Sequence, residues 1–540
     1  MVSMRQWKQY WKQKDWLFVP LMVFLWLQLT VWHDPIIGLL VFVFYVWLVG
    51  SWWRRILRNI FFMKEKNVMT HVFAWSVVSI ILGYVVSICI VWYRFTPVVL
   101  FFSYLVTGCC SAVLAHFVAK RTWRKKMQAP YPHNTSPSFR LCKMPKVLYL
   151  VYLVLWGFLV WILVAGRSST VAFTPWQVIS SYYVPLFFLL SCVLGALLVS
   201  TYKTKALLFL VVLHSFLLHA YLPLSHVMPW GGDVWRTMAV EKQIIDGEYI
   251  YPVLVGHGAE WVTIGPFDVP RIFMAPHKYI YGHLWGVTVL LAETMGWSLL
   301  HINIWLVPIL WSLLMPLIFF RMGRLLYGTP RLGLWFSALT SIPFSLQALG
   351  GLTLAVSLGT IVFFFTLMLC IQYLRERVPC QRNIVLMLAV LSLFGYSLYA
   401  LLTWLILGIS LFLSLLSRYV IRPVVSKSLV TVMGFVSIFF IPVVELLAKT
   451  SYVPEQLIVW AGVRQLVGQF SGWFYATMIR PHDILSGNIF VNHTPQWAFV
   501  ENMFTVWRYH VLILMLLVFL GIGMKLFHIL LEEKRREWHV

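Results

Sequence analysis

Long apolar runs separated by short polar stretches recur along the whole chain and predict a bundle of membrane-spanning helices. Each run holds about 17 to 25 residues, which is enough for a helix to cross roughly 30 Å of hydrocarbon. Because lipid offers backbone groups no hydrogen-bond partners, the spans are expected to be helical and the fold class all-α and polytopic. The spans are predicted at 17–33, 36–52, 70–92, 97–118, 147–166, 177–200, 206–226, 332–349, 351–374, 384–398, 400–417, 429–447 and 509–530.

The interval 279–320 is ambiguous because two apolar segments meet at Gly296–Asn303. If Arg321, Arg324 and Arg331 are cytoplasmic, this interval needs an odd number of crossings. Its first segment would then be re-entrant or lie along the membrane surface, and the number of crossings stays open. With one crossing here the total is about fourteen spans, and both termini are cytoplasmic.

Composition and charge agree with a membrane protein and exclude nucleic acid as a partner. Of the 540 residues, 61% are hydrophobic and 11% charged, and the mean hydropathy is +0.82. The net charge is +24, but about 32 of the 42 Lys and Arg residues fall in loops that the positive-inside rule makes cytoplasmic. Topology and attraction to anionic headgroups of the lipid bilayer therefore explain the excess charge. We expect a multi-pass protein of the cell membrane.

Residues with catalytic or binding chemistry concentrate in two segments predicted to face the outer side, 228–278 and 448–508. A carboxylate is costly in a bilayer, and six of the 18 acidic residues lie in the first segment. These are Asp233, Glu241, Asp246, Glu248, Glu260 and Asp268. No spacing in either segment is typical of a metal site, and no nucleotide-binding motif occurs, so neither metal nor cofactor is expected.

Asp233 stands out because it directly follows the predicted seventh span, after the sequence Pro-Trp-Gly-Gly. A helix is predicted to begin at Asp233 and to end at Gly247. Its apolar face is predicted to consist of Trp235, Met238, Ala239 and Ile245. A simpler interpretation is that Asp233 only caps this helix, a role that suits aspartate.

The run Gly231-Gly-Asp-Val-Trp-Arg-Thr-Met-Ala-Val-Glu-Lys-Gln-Ile-Ile-Asp-Gly247 resembles the first outer loop of the GT-C superfamily of membrane glycosyltransferases. The shared pattern is an acid just after a span, followed by an aromatic and basic helix that ends in glycine. The next elements of that family resemble Pro276-His-Lys-Tyr-Ile-Tyr-Gly-His-Leu-Trp285, Gly296-Trp-Ser and Arg321-Met-Gly-Arg-Leu-Leu-Tyr-Gly328. The resemblance covers roughly 206–375 and consists of loose patterns.

The resemblance implies an enzyme that moves a sugar from a polyprenyl-phosphate carrier to an unknown acceptor on the outer face. Asp233 would be the general base that removes the proton of the acceptor hydroxyl. The leaving phosphate needs cations, and the planar guanidinium group of arginine suits phosphate oxygens. The candidates for binding the substrate are Arg236, Arg271, His277, Lys278, Arg464 and Arg480.

The same resemblance suggests a division of the chain. Residues 1–205 would form about six accessory spans, because the acid of the family usually follows its first span. A GT-C-like core would occupy 206–447, followed by the second outer segment at 448–508 and the last span with its basic tail at 509–540. The second acid that often accompanies the first is missing, since Gly232 and Val234 flank Asp233, and this argues against a metal-dependent reaction.

Two other functions remain open. A transporter or flippase of a lipid-linked saccharide would also be polytopic and basic, but it needs polar residues along a path through the membrane. The spans are poor in charge, which favours the enzyme. An outer-face polymerase or ligase of polysaccharides would instead depend on Arg464, Arg480 and His482 in the second outer segment.

Overall fold

The computed structural model describes residues 15–61, 68–120, 145–170, 178–200, 203–230, 232–256, 259–264, 266–274, 276–341, 344–376, 378–396 and 398–408. Most of these residues are helical. The helices are α1 (Asp15–Trp32), α2 (Pro35–Ile60), α3 (Val68–Trp92), α4 (Pro97–Lys120), α5 (Pro145–Ala165), α6 (Tyr183–Val199), α7 (Thr204–Ser225), α8 (Gly232–Ile245), α9 (Pro276–Met295), α10 (Leu299–Tyr327), α11 (Pro330–Ala338), α12 (Phe344–Gly351), α13 (Ala355–Glu376), α14 (Pro379–Ser392) and α15 (Leu398–Gly408).

Eight of the helices in the described ranges are long and apolar enough to cross a membrane. They are α1 to α5, α7, α10 and α13. The helices α6 and α15 are apolar but shorter. The chain is therefore a mostly helical, multi-pass membrane protein. The predicted spans at 429–447 and 509–530, and the second outer segment between them, lie outside the described residues.

The predicted span at 332–349 is divided between two short helices, α11 and α12. A 3-10 turn at Leu339–Ser341 ends α11, and in it the hydroxyl of Thr340 donates to the carbonyl of Ser337 at 2.7 Å. The hydroxyl of Ser337 in turn donates to the Pro316 carbonyl of α10 at 2.8 Å. The turn interrupts the apolar run, which a count of apolar residues does not detect.

One end of the bundle, which we call the site end, is where α1 meets α2 and α3 meets α4. Helix α9 lies obliquely here: its Lys278 contacts Val91 at the end of α3, and its Thr294 carbonyl accepts a hydrogen bond at 3.3 Å from Gln28 near the end of α1. Both ends of α9 thus lie near the site end. This geometry favours α10 as the only crossing in the interval 279–320.

Polar side chains join the helix termini at the opposite end. The amide of Gln372 donates to the Phe61 carbonyl at 2.5 Å, and that of Gln381 donates to the Ile60 carbonyl at 2.7 Å. The guanidinium of Arg321 donates to the side-chain oxygen of Gln372 at 3.2 Å. Basic residues near the ends of α2, α10 and α13, which the positive-inside rule assigns to the cytoplasm, therefore share this end of the bundle.

Helix α9 packs against α3 through small residues. A Cβ atom on Gly286 would lie 2.5 Å from the Gly83 carbonyl oxygen and 2.8 Å from the Ser87 nitrogen. Both are backbone atoms, so glycine is the residue that this close approach accommodates. In lipid, such small-residue contacts replace the hydrophobic effect as a source of helix association.

The α7–α9 connection, residues 226–275, also lies at the site end, because the Leu254 N–H donates to the Trp92 carbonyl at 2.8 Å. It begins with α8 and continues into the antiparallel strands β1 (Trp261–Ile264) and β2 (Phe267–Pro270). A 3-10 turn at Arg271–Met274 then leads into α9. This hairpin was not expected from the all-α prediction.

Candidate functional site

Helix α8 begins within one residue of its predicted start, and Gly247, with φ of 79°, follows its end as predicted. The predicted apolar face is wrong, since the Trp235 side chain is exposed and Ala239 is exposed. The buried residues are Val234, Thr237, Glu241 and Ile244. The helix is rotated towards α9 and α10 because these helices supply the partners of Glu241, whereas the Thr237 hydroxyl donates to the Asp233 carbonyl of α8 itself at 2.8 Å.

Glu241 is the central contact of that face. Its carboxylate is fully buried and accepts one hydrogen bond from the Thr288 hydroxyl of α9 and one from the Asn303 amide of α10, both at 2.6 Å. Burial raises the pKa of Glu241 from 4.5 to about 7, although the two hydrogen bonds act in the opposite direction. One side chain therefore joins three helices at the site end.

The contacts of Asn303 fix the orientation of its amide group. Its Nδ2 donates to Glu241 Oε2 and, at 3.1 Å, to the Leu299 carbonyl, so both amide hydrogens have acceptors. The buried Oδ1 atom has no hydrogen-bond partner among the described residues.

Asp233 lies one residue into α8, and its side chain is 58% exposed. The Arg236 guanidinium is 3.9 Å from the carboxylate and 82% exposed, so solvent weakens this ion pair. The carboxylate is accessible, while the helix that carries it is held by Glu241. An accessible carboxylate on a fixed helix can accept a proton from a bound hydroxyl group.

A small cavity of about 10 Å³, room for about one water molecule, lies beside Val234, the residue after Asp233. It lies between the end of α7, the start of α8, the first turns of α10 and the segment before α13. Trp230, Val234, Asn303 and Thr353 contribute to its wall, together with aliphatic and proline side chains, and none of the described lining residues is charged. This cavity is too small to hold a sugar ring, and Asp233 is not part of its described wall.

Lys278, predicted as a phosphate ligand, is completely buried. Its ammonium group donates to the carbonyls of Val91, at 2.8 Å, of Pro252, at 2.7 Å, and of Ile250. An ammonium group has three hydrogens, so these contacts use its full capacity. The geometry gives Lys278 a structural role, in which it fastens the α7–α9 connection to α3.

The other residues predicted to bind the substrate differ in how far the structure describes them and in what they contact. Arg271 pairs with Glu260 at 2.5 Å and is 59% exposed, so it stays within reach of solvent. His277 belongs to the first turn of α9, but its side chain lies outside the described part of the structure. Arg464 and Arg480 also lie outside the described residues. The structure thus brings Asp233 and Arg236 together but does not bring Arg271 to them by any contact.

Sequence reasoning missed Trp230, Thr288 and Asn303, and it gave Glu241 no particular role. The 3-4-3 spacing of Val234, Thr237, Glu241 and Ile244 is a helical face and could have indicated burial. The sequence alone does not show that a carboxylate on that face is buried, because its burial depends on hydrogen-bond partners in other helices. Among the described residues, no three His, Cys, Asp or Glu side chains are grouped as a metal site.

No protein-family model, curated protein or solved structure matches this chain. The arguments for a function therefore depend on the site itself.

Proposed function

We propose that this protein is a membrane glycosyltransferase that moves a sugar from a polyprenyl-phosphate carrier to an acceptor hydroxyl, with Asp233 as the general base. The observation that carries this proposal is an accessible carboxylate, that of Asp233, on a helix that the buried contacts of Glu241 hold in place. These features come together at the site end of the bundle, where a lipid-linked donor can keep its chain in the bilayer. The resemblance of residues 206–375 to the GT-C superfamily points in the same direction.

In the proposed reaction, the acceptor oxygen attacks the anomeric carbon of the sugar while its proton passes to the Asp233 carboxylate. The bond between the anomeric carbon and the phosphate oxygen breaks, and the polyprenyl phosphate leaves with the electron pair. Attack opposite the leaving group inverts the anomeric configuration. The proton on Asp233 is then released to solvent, to which its side chain is open.

Arg236 is the best-placed residue to bind the phosphate, because its guanidinium is 3.9 Å from Asp233 and largely exposed. Arg271 would contribute by exchanging Glu260 for phosphate. Arg464, Arg480 and His277 keep this role as proposals. Lys278 is omitted, because its three hydrogens already have carbonyl acceptors.

The test is transfer of labelled sugar from polyprenyl-phosphate donors to membrane acceptors, comparing the wild type with Asp233→Asn at equal expression. We expect the substitution to reduce the rate by about 10²- to 10⁴-fold, the usual contribution of a general base. Asp246→Asn is a matched control, since Asp246 is an exposed carboxylate near the end of the same helix that pairs with Lys242. Full activity of Asp233→Asn would exclude the proposed base.

A transporter of a lipid-linked saccharide is the second candidate, and one observation favours it. His214 and His219 of α7 are buried within a candidate membrane span, where ionisable residues commonly line a transport path. His214 contacts Ser191 at 3.2 Å, and His219 contacts the Ser215 carbonyl at 2.6 Å. Movement of the lipid-linked saccharide across liposomes containing the purified protein, with no glycosidic bond formed, would favour this function over transfer.

A further inference from the structure

The arginine that follows α3 at the site end, Arg94, has no acidic partner in the described part of the chain. No carboxylate there lies within ion-pair distance of its guanidinium group. The side chain is half-buried: Nε is buried without a hydrogen-bond partner among the described residues, whereas the two terminal nitrogens, which also have none there, remain accessible. Charged groups that are partly withdrawn from water are usually paired, so Arg94 is a candidate for binding an anion.

Two tyrosine rings hold this guanidinium group. Its central carbon, Cζ, lies 5.6 Å from the ring centroid of Tyr93 and 5.6 Å from that of Tyr249. The two rings are themselves 6.0 Å apart and meet edge to face at 77°. Tyr93, Arg94 and Tyr249 thus form a nearly equilateral triangle, which we call the arginine cluster. A guanidinium over aromatic faces is attracted to them, and its planar N–H edge stays free to bind an anion.

Backbone contacts fix the two segments that form the arginine cluster. The Leu254 N–H donates to the Trp92 carbonyl at 2.8 Å. The ammonium group of Lys278 donates to the carbonyls of Val91 and Ile250, so it joins the same two segments and adds a second positive charge next to them. The cluster is therefore held in place before a ligand arrives, which lowers the entropic cost of binding.

The arginine cluster lies at the level of the lipid headgroups. Helix α3 is a candidate membrane span that ends at Trp92, and tyrosine and arginine are typical of the interface at the end of a span. Three apolar or aromatic side chains in the adjoining segments are exposed, namely Tyr251 at 56%, Val255 at 59% and Val98 at 47%. Phosphate is the anion of this layer, and exposed apolar side chains beside it suit the hydrocarbon chain of a lipid.

We propose that the arginine cluster binds one phosphate group carried by a membrane lipid. The two terminal nitrogens of Arg94 donate hydrogen bonds to the phosphate oxygens, a contact that suits the planar guanidinium group. Tyr93 and Tyr249 hold the guanidinium in place, and the lipid chain extends along the exposed apolar side chains into the bilayer. The identification of this lipid as the sugar carrier rests on the proposed function, whereas the binding of its phosphate does not.

The probes are farnesyl phosphate, a phosphate monoester on a prenyl chain, and dioctanoyl phosphatidylglycerol, a phosphate diester on acyl chains. Equilibrium binding of each labelled lipid is measured with the purified full chain in micelles of an uncharged detergent, with empty micelles as the blank. We expect at least one lipid to bind the wild type. Arg94→Gln should weaken that binding by about 10- to 100-fold, because the charge-assisted hydrogen bonds are lost.

Arg94→Lys keeps the test valid if the glutamine variant does not fold. An ammonium group keeps the charge but not the planar pair of donors, so this substitution should weaken binding by about three- to tenfold. Unchanged affinity in both variants, or no binding of either lipid to the wild type, overturns the proposal.

Arg167→Gln is the matched control. Arg167 also lies two residues beyond a candidate span, α5, and its side chain is exposed. It belongs to the site end, because the next residue, Ser168, accepts a hydrogen bond from the Val227 N–H at 3.1 Å. No aromatic ring of the described residues lies under its guanidinium. Its affinity for both lipids should equal that of the wild type, and a loss as large as in Arg94→Gln would overturn the proposal.

The two lipids and two competitors identify the source of the phosphate. Tighter binding of farnesyl phosphate supports a prenyl phosphate as the ligand, and equal or tighter binding of phosphatidylglycerol supports a phospholipid headgroup. Farnesol carries the chain without the phosphate, and if it displaces the bound lipid as well as farnesyl phosphate does, the proposal fails. Displacement by inorganic phosphate at the same concentration also overturns it, because the lipid chain would then contribute nothing.

Phosphate binding and sugar transfer fail independently. Asp233-dependent transfer without Arg94-dependent lipid binding would exclude this site but not the enzyme. Lipid binding that depends on Arg94, in a protein with no transfer from any donor, would exclude the enzyme but not the site.

Discussion

At the scale of single residues, the carboxyl group of Glu241 is fully buried, and the side chains that contact it are uncharged. The Thr288 and Asn303 side chains donate to it, but no cation is described within ion-pair distance of it. Ionisation of such a group costs folding free energy, since dipoles replace only part of its hydration. Glu241 thus connects the stability of the site end to pH.

The first prediction concerns this pH dependence. Because the pKa of Glu241 rises from 4.5 in the unfolded chain to about 7 in the folded protein, the folded state holds its proton more tightly between these values. The free energy of unfolding should therefore fall as pH rises from about 4.5 through about 7, by about 3 kcal/mol, and should stay constant above that range as far as this group is concerned. Glu241→Gln should remove this part of the pH dependence.

The measurement is unfolding of the purified protein by added sodium dodecyl sulfate at pH 5 and pH 8. Other titrating groups contribute equally to both proteins, so the difference between wild type and Glu241→Gln isolates Glu241. Identical pH dependence in the two proteins would mean that the carboxyl group is not buried as described.

At the scale of elements, the position of α8 was predictable but its orientation was not. The start at Gly232 and the end before Gly247 follow from local signals, namely an acid in the first turn and a glycine with positive φ. The buried face depends instead on Thr288 and Asn303, which lie 47 and 62 positions away from Glu241 in the sequence. Local periodicity cannot anticipate partners at that separation, and for the same reason the sequence did not indicate the cavity wall formed by Asn303.

The packing of α9 on α3 leads to a prediction at this scale. In Gly286→Ala the new methyl group would meet the backbone of Gly83 and Ser87, so α9 must move away from α3. We expect the free energy of unfolding to fall by about 1–3 kcal/mol, the usual cost of overpacking. The displacement should also move Thr288 of α9 away from Glu241 and slow any sugar transfer.

Gly157→Ala is the control for this substitution. A Cβ atom on Gly157, in the middle of α5, would have no neighbour within 4 Å. An alanine at this position should leave the free energy of unfolding unchanged or raise it by up to about 1 kcal/mol. Unfolding midpoints of the two variants would be compared under the same detergent conditions, and equal effects would argue against close packing at Gly286.

At the scale of the whole molecule, the two ends of the bundle differ in chemistry. The site end carries the α7–α9 connection with its acids, and the opposite end carries Arg321 and the glutamines that bind helix termini. Apolar runs were sufficient to predict a multi-pass helical protein, because burial in lipid demands long apolar helices. They were not sufficient at 332–349, where a 3-10 turn divides the run, or at α9, whose oblique position depends on the carbonyls that Lys278 binds.

The positive-inside rule predicts which end faces outwards. In a variant with the seven native cysteines replaced by serine, Val255→Cys in the α7–α9 connection and Arg58→Cys near the end of α2 place one thiol at each end of the bundle. A membrane-impermeant maleimide added to intact cells should label the cysteine at 255, and should label that at 58 only after permeabilisation. The reverse pattern would invert the orientation, and labelling of both from outside would contradict the separation of the two ends.

The oblique placement of α9 has a consequence for biosynthesis. Close contacts of its first half with Gly83, Ser87 and Val91 belong to α3, which leaves the ribosome about 190 residues earlier. The nascent chain therefore meets a finished docking surface as soon as α9 emerges. The charge of Lys278 disfavours insertion of α9 into lipid as an independent span. This cost is removed once the three backbone carbonyls bind the ammonium group. Assembly of the site end is completed later, because His283 of α9 also donates to the Ala355 carbonyl of α13 at 2.8 Å.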